Sequence, residues 1–237
     1  MIPWLVGAVP FPPIDTASTE PNGLLAAGGD LSVERLLDAY AQGIFPWFGP
    51  GEPILWWSPS PRMVLLPAEF KCSRSLAKRL KRPDYEIRVD TAFAEVMRLC
   101  AEPRPGQAGT WIVPAMQAAY GRLHAAGHAH SVETWLDGRL VGGLYGVALG
   151  RAFFGESMFS RVGDGSKLAL AHLARQLTRW DFGLIDCQMV TEHLASLGAR
   201  PVPRAEFRAR LDASTALPGR IGTWNFDHDL FARTAHP

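Results

Sequence analysis

Cysteine is scarce. Cys72, Cys100 and Cys187 are the only three in 237 residues, and they are far apart with no CxxC among them. A disulfide framework and a thiolate zinc site are therefore not expected, which favours a reducing compartment. No apolar run reaches the ~18 residues that would span a bilayer. The opening MIPWLVGAVPFPPID is broken by prolines before it could become a signal helix, so a cytoplasmic protein without a membrane partner is expected. Charge of one sign is also lacking. The net charge is +1 with 20% charged residues, so only a local cluster could announce a nucleic-acid binder. Neither GxGxxG nor GxSxG occurs, nor a Cys–His pair at a recognisable spacing. The stretch VGDGSK (162–167) lacks the GxxxxGK(S/T) spacing of a phosphate loop, because Lys167 follows Ser166 rather than a glycine. His124 and His128 stand in HAAGH, not HExxH, with Gly127 breaking the helix, so no metal is expected.

What is present is apolar and aromatic. Hydrophobic residues make up 47%, with eight Trp and twelve Phe, enough for one large core or a main domain with a small satellite. Residues 1–22 read as an extended arm. Asp30 or Ser32 caps a helix whose apolar face is Leu36, Leu37 and Tyr40, and Gly43 ends it. The stretch GIFPWFGPGEPILWWSPSPR (43–62) is too rich in Pro and Gly for a helix and reads as an ordered loop. A boundary near Arg62 divides the chain into a small unit, 1–62, and a larger one, 63–237, whose first strand is MVLLP. Residues 91–100 and 114–125 read as helices, the second with Pro114 in its first turn. From 131 the period becomes two. SVETWL, LVGGLYGVAL and RAFFGESMF read as strands, with turns at Asp137-Gly138 and Gly150-Arg151. Leu170, Leu173, Leu177 and Trp180 mark a helix over 166–180, LIDCQMV (184–190) a strand, and 191–199 a short helix ended by Gly198. Meander, helix, strand, helix makes a sheet protein of α/β or α+β type.

Two apolar strands each carry one acid. Residues i and i+2 share a strand face, so Asp186 and Gln188 point one way, and Phe154, Glu156, Met158 and Ser160 share a face of their own. Such an acid is either satisfied locally, by a hydrogen bond or an Arg, or is functional; pattern alone leaves both open. A buried acid beside an amide suits the holding or deprotonation of an amine, because burial raises its pKa. The segment KCSRSLAKRLKR (71–82) places Lys71, Arg74, Lys78, Lys81 and Arg82 on one side of a helix capped by Ser73. No acid interrupts it, as phosphate binding requires; a merely solvated face is the plainer reading.

The motifs PNGLLAAGGDLSVERLLDAYAQGIFPWF, ILWWSPSPR, GTWIVPAM, AHSVETW, LVGGLYGV, FFGESMFS and LIDCQ occur in this order between about residues 21 and 200. The chain so resembles the bacterial leucyl/phenylalanyl-tRNA–protein transferases. The resemblance implies an α+β fold, with a small N-terminal domain followed by a GNAT-like (acetyltransferase-type) mixed sheet with flanking helices. It implies transfer of Leu or Phe, and also Met, from aminoacyl-tRNA to the α-amino group of a protein's N-terminal Arg or Lys, marking that protein for degradation. No cofactor and a monomer are expected. Asp186 would bind the amine and take its proton, with Gln188 orienting the pair; Trp47 and Trp111 would embrace the terminal adenosine, and Glu156 and Ser160 would hold the aminoacyl-adenosine end. The side-chain pocket would be Leu144, Phe153, Met158, Leu170, Leu173, Leu177 and Ile185, with Leu144 and Leu173 standing where Met and Phe are familiar. The basic helix would grip tRNA phosphates. This account requires Asp186, Gln188 and Glu156 to open into one cavity. The rivals are an acetyl-CoA-dependent N-acetyltransferase, whose Q/R-x-x-G-x-G/A loop is missing, and a non-catalytic RNA-binding protein.

Overall fold

The computed structural model describes residues 2–103 and 110–231; Gly109 of the GTW motif lies outside them. The chain begins with β1 (Trp4–Leu5), β2 (Leu24–Gly28), α1 (Val33–Ala41), β3 (Phe45–Pro46) and β4 (Leu55–Trp57). The four strands form a small sheet in the order β1-β2-β4-β3. Ser32 caps α1 as expected, its Oγ accepting from the Arg35 N–H, and the helix buries Leu36, Ala39 and Tyr40. The Pro- and Trp-rich stretch is ordered, but two short strands cross it. Strands this short develop no period, so none was legible in the sequence.

The next strand, β5 (Arg62–Leu65), opens a second sheet, followed by α2 (Arg74–Arg79), β6 (Glu86–Val89), α3 (Phe93–Cys100) and α4 (Pro114–Ala125). The meander is β7 (Ala129–Leu136), β8 (Arg139–Leu149) and β9 (Ala152–Ser160). Then come α5 (Gly165–Arg179), β10 (Leu184–Gln188), α6 (Glu192–Ser196), β11 (Arg200–Val202) and α7 (Arg204–Thr215). The sheet order is β11-β5-β10-β9-β8-β7-β6. Strands β9 and β10 run parallel across the α5 crossover, and the other neighbouring pairs are antiparallel. This is the α+β arrangement expected, a mixed sheet with flanking helices.

Each face of the large sheet has its own core. On one, Tyr40, Trp56, Val64, Phe154 and Leu184 form a cluster that joins the two sheets. On the other, Leu170, Leu173 and Leu177 of α5 lie over Phe153 and Ile185. Burying a Leu or Phe contributes about 1.5–3 kcal/mol, so the α5 stripe alone fixes that helix on the sheet. Among the described residues, no helix is long and apolar enough to cross a membrane.

One irregularity positions the site. Strands β9 and β10 pair only from Ala152 to Phe154 against Leu184 to Asp186. Beyond that point β9 stays with β8 as far as Ser160, while β10 stays with β5. The sheet therefore splits between its two parallel strands, and the gap is lined by whatever follows Phe154 and Asp186.

Candidate active site

The split opens into a cavity of about 570 Å³. Leu144, Phe153, Met158, Leu170, Leu173 and Ile185 line its apolar end, six of the seven pocket residues expected from sequence. Leu177 is buried in the same cluster without reaching the cavity; it supports the wall. Phe45, Pro46, Trp47 and Trp111 stand along another side, and Glu156 and Gln188 are its buried polar side chains.

The strand-face expectation for β9 fails at Glu156. Gly146 of β8 pairs with Gly155 and Tyr145 with Ser157, so Glu156 is an extra residue, a β-bulge. A bulge inverts the in–out alternation after it. Phe154 and Glu156 face α1 and α4, whereas Met158 faces α5 and joins the opposite cluster. Gly146 sits across from the bulge because a Cβ there would lie 2.2 Å from the Phe154 carbonyl oxygen.

Glu156 ends in a closed ring of oxygens. The Tyr40 hydroxyl lies 2.8 Å from its Oε1, the Tyr120 hydroxyl 3.0 Å from its Oε2, and the two hydroxyls are in hydrogen-bond contact with each other. Filling these three contacts takes three protons, and the tyrosines carry two. With Tyr40 and Tyr120 both donating to Glu156, the contact between the two hydroxyls lacks a proton, and one more proton on the acid completes the ring. Burial pushes the carboxyl up to about 7, against the opposing pull of hydrogen bonds from Tyr40, Tyr120 and Gln188. Burial, and next the nearby Glu156, hold both tyrosines well above their usual range, so their hydroxyls stay protonated. Gln188 completes the group by donating from Nε2 to Glu156 Oε1 at 2.7 Å.

This has a consequence for stability. The folded chain holds the Glu156 proton more tightly than the unfolded chain, whose carboxyl has the ordinary value of 4.5. Its contribution is fully present below that value and is lost as pH rises through about 7. The gap corresponds to on the order of 3 kcal/mol. Glu156→Gln mimics the protonated acid, so between pH 5 and pH 8 it should gain about that much stability relative to the parent protein, read by urea unfolding. A difference independent of pH would refute the buried-acid assignment.

Asp186 departs from expectation. Its carboxylate does not reach the cavity. Arg62 donates to it from Nε and Nη2, both at 2.8 Å, and the two side chains are 1% and 0% exposed. The guanidinium is flanked by the rings of Phe45 and Phe207 at 4.8 and 4.7 Å. Of the two fates open to this acid in the sequence, satisfaction by an Arg is the one realised. The shared-face argument assumed a regular strand, but β10 has a register shift against β5 between Asp186 and Gln188, and Gln188 has a φ of 60°. That left-handed residue turns the amide into the split, while the Asp186 carboxylate stays with Arg62 beside Phe45 and Phe207. Sequence reasoning missed Arg62, Tyr40 and Tyr120 as site partners. The one signal available was a cation opening the otherwise apolar strand RMVL.

Trp47 and Trp111 both line the cavity, and Trp47 is 42% exposed, so its ring is available for stacking. The Trp57 Nε1–H fixes it by donating to its carbonyl. Ser160, expected to help hold the aminoacyl-adenosine end, is outside the cavity. Its hydroxyl donates to the Val162 carbonyl and accepts from the Ser166 N–H, which secures the turn into α5. Cys187 also lines the cavity, and burial raises its thiol far above the usual range, so it is held as a thiol. The basic segment is helical only over Arg74–Arg79, capped by Ser73 and anchored by buried Leu76 and Leu80. Lys71, Arg74, Lys78, Lys81 and Arg82 are all exposed, with Arg82 paired to Asp84 at 2.8 Å.

A family model described as leucyl/phenylalanyl-tRNA protein transferase matches residues 64–212, and one for the N-terminal domain of that transferase matches residues 29–60. The leucyl/phenylalanyl-tRNA–protein transferase of Thiobacillus denitrificans is 69% identical, over 92% of this chain and 95% of its own length. That of Nitrosomonas europaea is 66% identical over 96% of each chain. Among solved structures, a GCN5-related N-acetyltransferase from Kribbella flavida superposes with a TM-score of 0.36 and 11% identity, over 69% of this chain and 58% of that one. A likeness of that size transfers no chemistry.

Proposed function

The chain belongs to the leucyl/phenylalanyl-tRNA–protein transferase family, and from that premise we propose how its site carries out the reaction. The protein is an aminoacyltransferase, moving an amino acid from aminoacyl-tRNA to a protein. One observation carries the site assignment: the split sheet holds Glu156 and Gln188 2.7 Å apart beside an apolar slot, with two tryptophans on its wall. The slot takes the side chain of Leu, Phe or Met. The rings of Trp47 and Trp111 take the terminal adenosine, a contact worth about 1–3 kcal/mol per base. The ester carbonyl then lies between slot and tryptophans, beside Gln188.

The acceptor is the α-amine of an N-terminal Arg or Lys, as the family resemblance carried by motifs such as FFGESMFS and LIDCQ implies. Gln188 donates to Glu156 through its NH2, which leaves its carbonyl oxygen to accept from the amine and aim it at the ester. A free α-amine titrates near ~7.7–8.0, so a carboxylate of similar pKa exchanges protons with it at little cost. Glu156 accepts the amine proton as the C–N bond forms. The ester C–O bond breaks, and Glu156 returns that proton to the leaving ribose oxygen. Residues 1–62 supply Tyr40, Phe45, Pro46, Trp47 and Arg62; residues 63–237 supply Glu156, Gln188, Trp111 and the slot.

The test is transfer from radiolabelled Leu-tRNA to peptides beginning with Arg, Lys or Ala, with acetyl-CoA as the competing donor. Label should appear on the Arg and Lys peptides alone. Transfer from acetyl-CoA, or indifference to the first residue, would refute the reading. The exposed cations of 71–82 meet tRNA phosphates, giving affinity with little choice of sequence. Lys78→Ala with Lys81→Ala should weaken all aminoacyl-tRNAs alike. The same pair should flatten the dependence of log K on log salt by roughly 0.7–0.9 for each phosphate no longer neutralised. An unchanged salt slope would leave that helix as a merely solvated face.

A further inference from the structure

We infer that Arg62 is a positioning residue for aminoacyl transfer: through Asp186 it fixes the backbone that turns Gln188 into the cavity. Gln188 adopts a φ of 60°, in the left-handed region that residues other than glycine seldom occupy. Something must hold it there, and the structure shows what does. Asp186 Oδ1 accepts the Gln188 N–H at 2.9 Å, a bond that spans the register shift of β10. The same oxygen accepts from Arg62 Nε, and Oδ2 accepts from Arg62 Nη2. A planar fork meeting both oxygens leaves the carboxylate no rotation, so Oδ1 stays aimed at the Gln188 amide. The fork is itself clamped between the Phe45 and Phe207 rings, and Phe45 is part of the cavity wall. Arg62 touches no reacting atom. Its reach into the site runs through Asp186, then the Gln188 main chain, then the Gln188 amide on Glu156.

The inference rests on the reading that the Gln188 side chain meets the substrate, and the experiment separates the two. Arg62→Met combined with Asp186→Leu replaces the buried pair with apolar groups of similar size, a change that folded proteins commonly tolerate. The double variant should unfold near the parental temperature and bind aminoacyl-tRNA with KM within about threefold, because slot and tryptophans are intact. Its kcat should fall roughly 100-fold, the usual consequence of a reacting group misplaced by an ångström. Gln188→Ala should lower kcat on its own, and the triple variant should be no slower than the slower of the two, because both changes remove one function. A double variant with parental kcat overturns the inference and leaves the Gln188 reading standing. Parental kcat in Gln188→Ala overturns that reading and, with it, the route proposed for Arg62. Independent, multiplying losses overturn the route alone. Should the double variant fail to fold, Arg62→Lys keeps the charge but loses the fork. It must then lower kcat more than it raises KM, and an unchanged kcat there also overturns the inference.

Discussion

Glu156→Gln should slow single-turnover transfer by roughly 10²–10⁴-fold while leaving aminoacyl-tRNA affinity within about threefold. The substitution is chosen because it isolates proton transfer. A Gln amide fills the same volume; with its oxygen in the Oε1 position it accepts from Tyr40 and Gln188, and its NH2 in the Oε2 position donates to the Tyr120 hydroxyl, so the ring keeps its partners. What it cannot do is accept the proton of the attacking amine. Glu156→Ala would blur the result, since it would leave Tyr40 and Tyr120 buried without the carboxyl they bond to, at a cost of about 1–3 kcal/mol each. Asp186→Ala would blur it further: Arg62 would remain as a buried, uncompensated charge, typically worth about 3–5 kcal/mol of destabilisation. Lost transfer in that variant would report on folding as much as on chemistry. An active Glu156→Gln enzyme would move the proton acceptor elsewhere.

The second large effect concerns choice of amino acid. Leu170 on α5 is 4% exposed and lines the slot opposite the sheet. Leu170→Phe projects added volume into space the substrate side chain needs, and the bulkiest side chain should suffer first. kcat/KM for Phe-tRNA should fall about 10–100-fold more than for Leu-tRNA, the scale of one to two methylenes in an apolar pocket. Because the new ring enters an existing cavity, the stability cost should stay at the low end of the roughly 1–3 kcal/mol that overpacking incurs. Leu170→Ala should act in the opposite direction and narrow the gap between the two substrates. Equal losses for both aminoacyl-tRNAs would mean that this slot does not hold the transferred side chain. Competition between Leu-tRNA and Phe-tRNA in one reaction reads the ratio directly.

Much of this was legible in the sequence, for identifiable reasons. The meander 131–160, the helix carrying Leu170, Leu173 and Leu177, and the Ser32 and Ser73 caps follow from periodicity and local hydrogen bonding, which depend on near neighbours. The apolar slot came from the family resemblance rather than from periodicity, and six of the seven residues it implied line the cavity. The reading failed where alternation is broken. The bulge at Glu156 inverts a face and the left-handed Gln188 breaks the regularity of β10, and neither is written in hydrophobicity. Asp186 and Gln188 were therefore expected to open together into the cavity, and of the two only Gln188 lines it, while Asp186 is held by Arg62. The partners were hidden for a different reason. Arg62 lies 124 positions from Asp186, and Tyr40 lies 116 from Glu156, distances over which no local pattern operates. A lone Tyr on an apolar helix face looks like core until the acid it meets is known. Ser160 was misplaced because its hydroxyl serves a local turn, a role any strand-end serine can fill.

The most direct test of Glu156 as proton acceptor is the pH dependence of single-turnover transfer in the parent enzyme divided by that in Glu156→Gln. The amine's own titration is common to both and cancels in the ratio. With a carboxyl at about 7, the ratio should climb nearly tenfold per pH unit below neutrality and level off above it. A ratio near one, or one that does not vary with pH, would contradict the account.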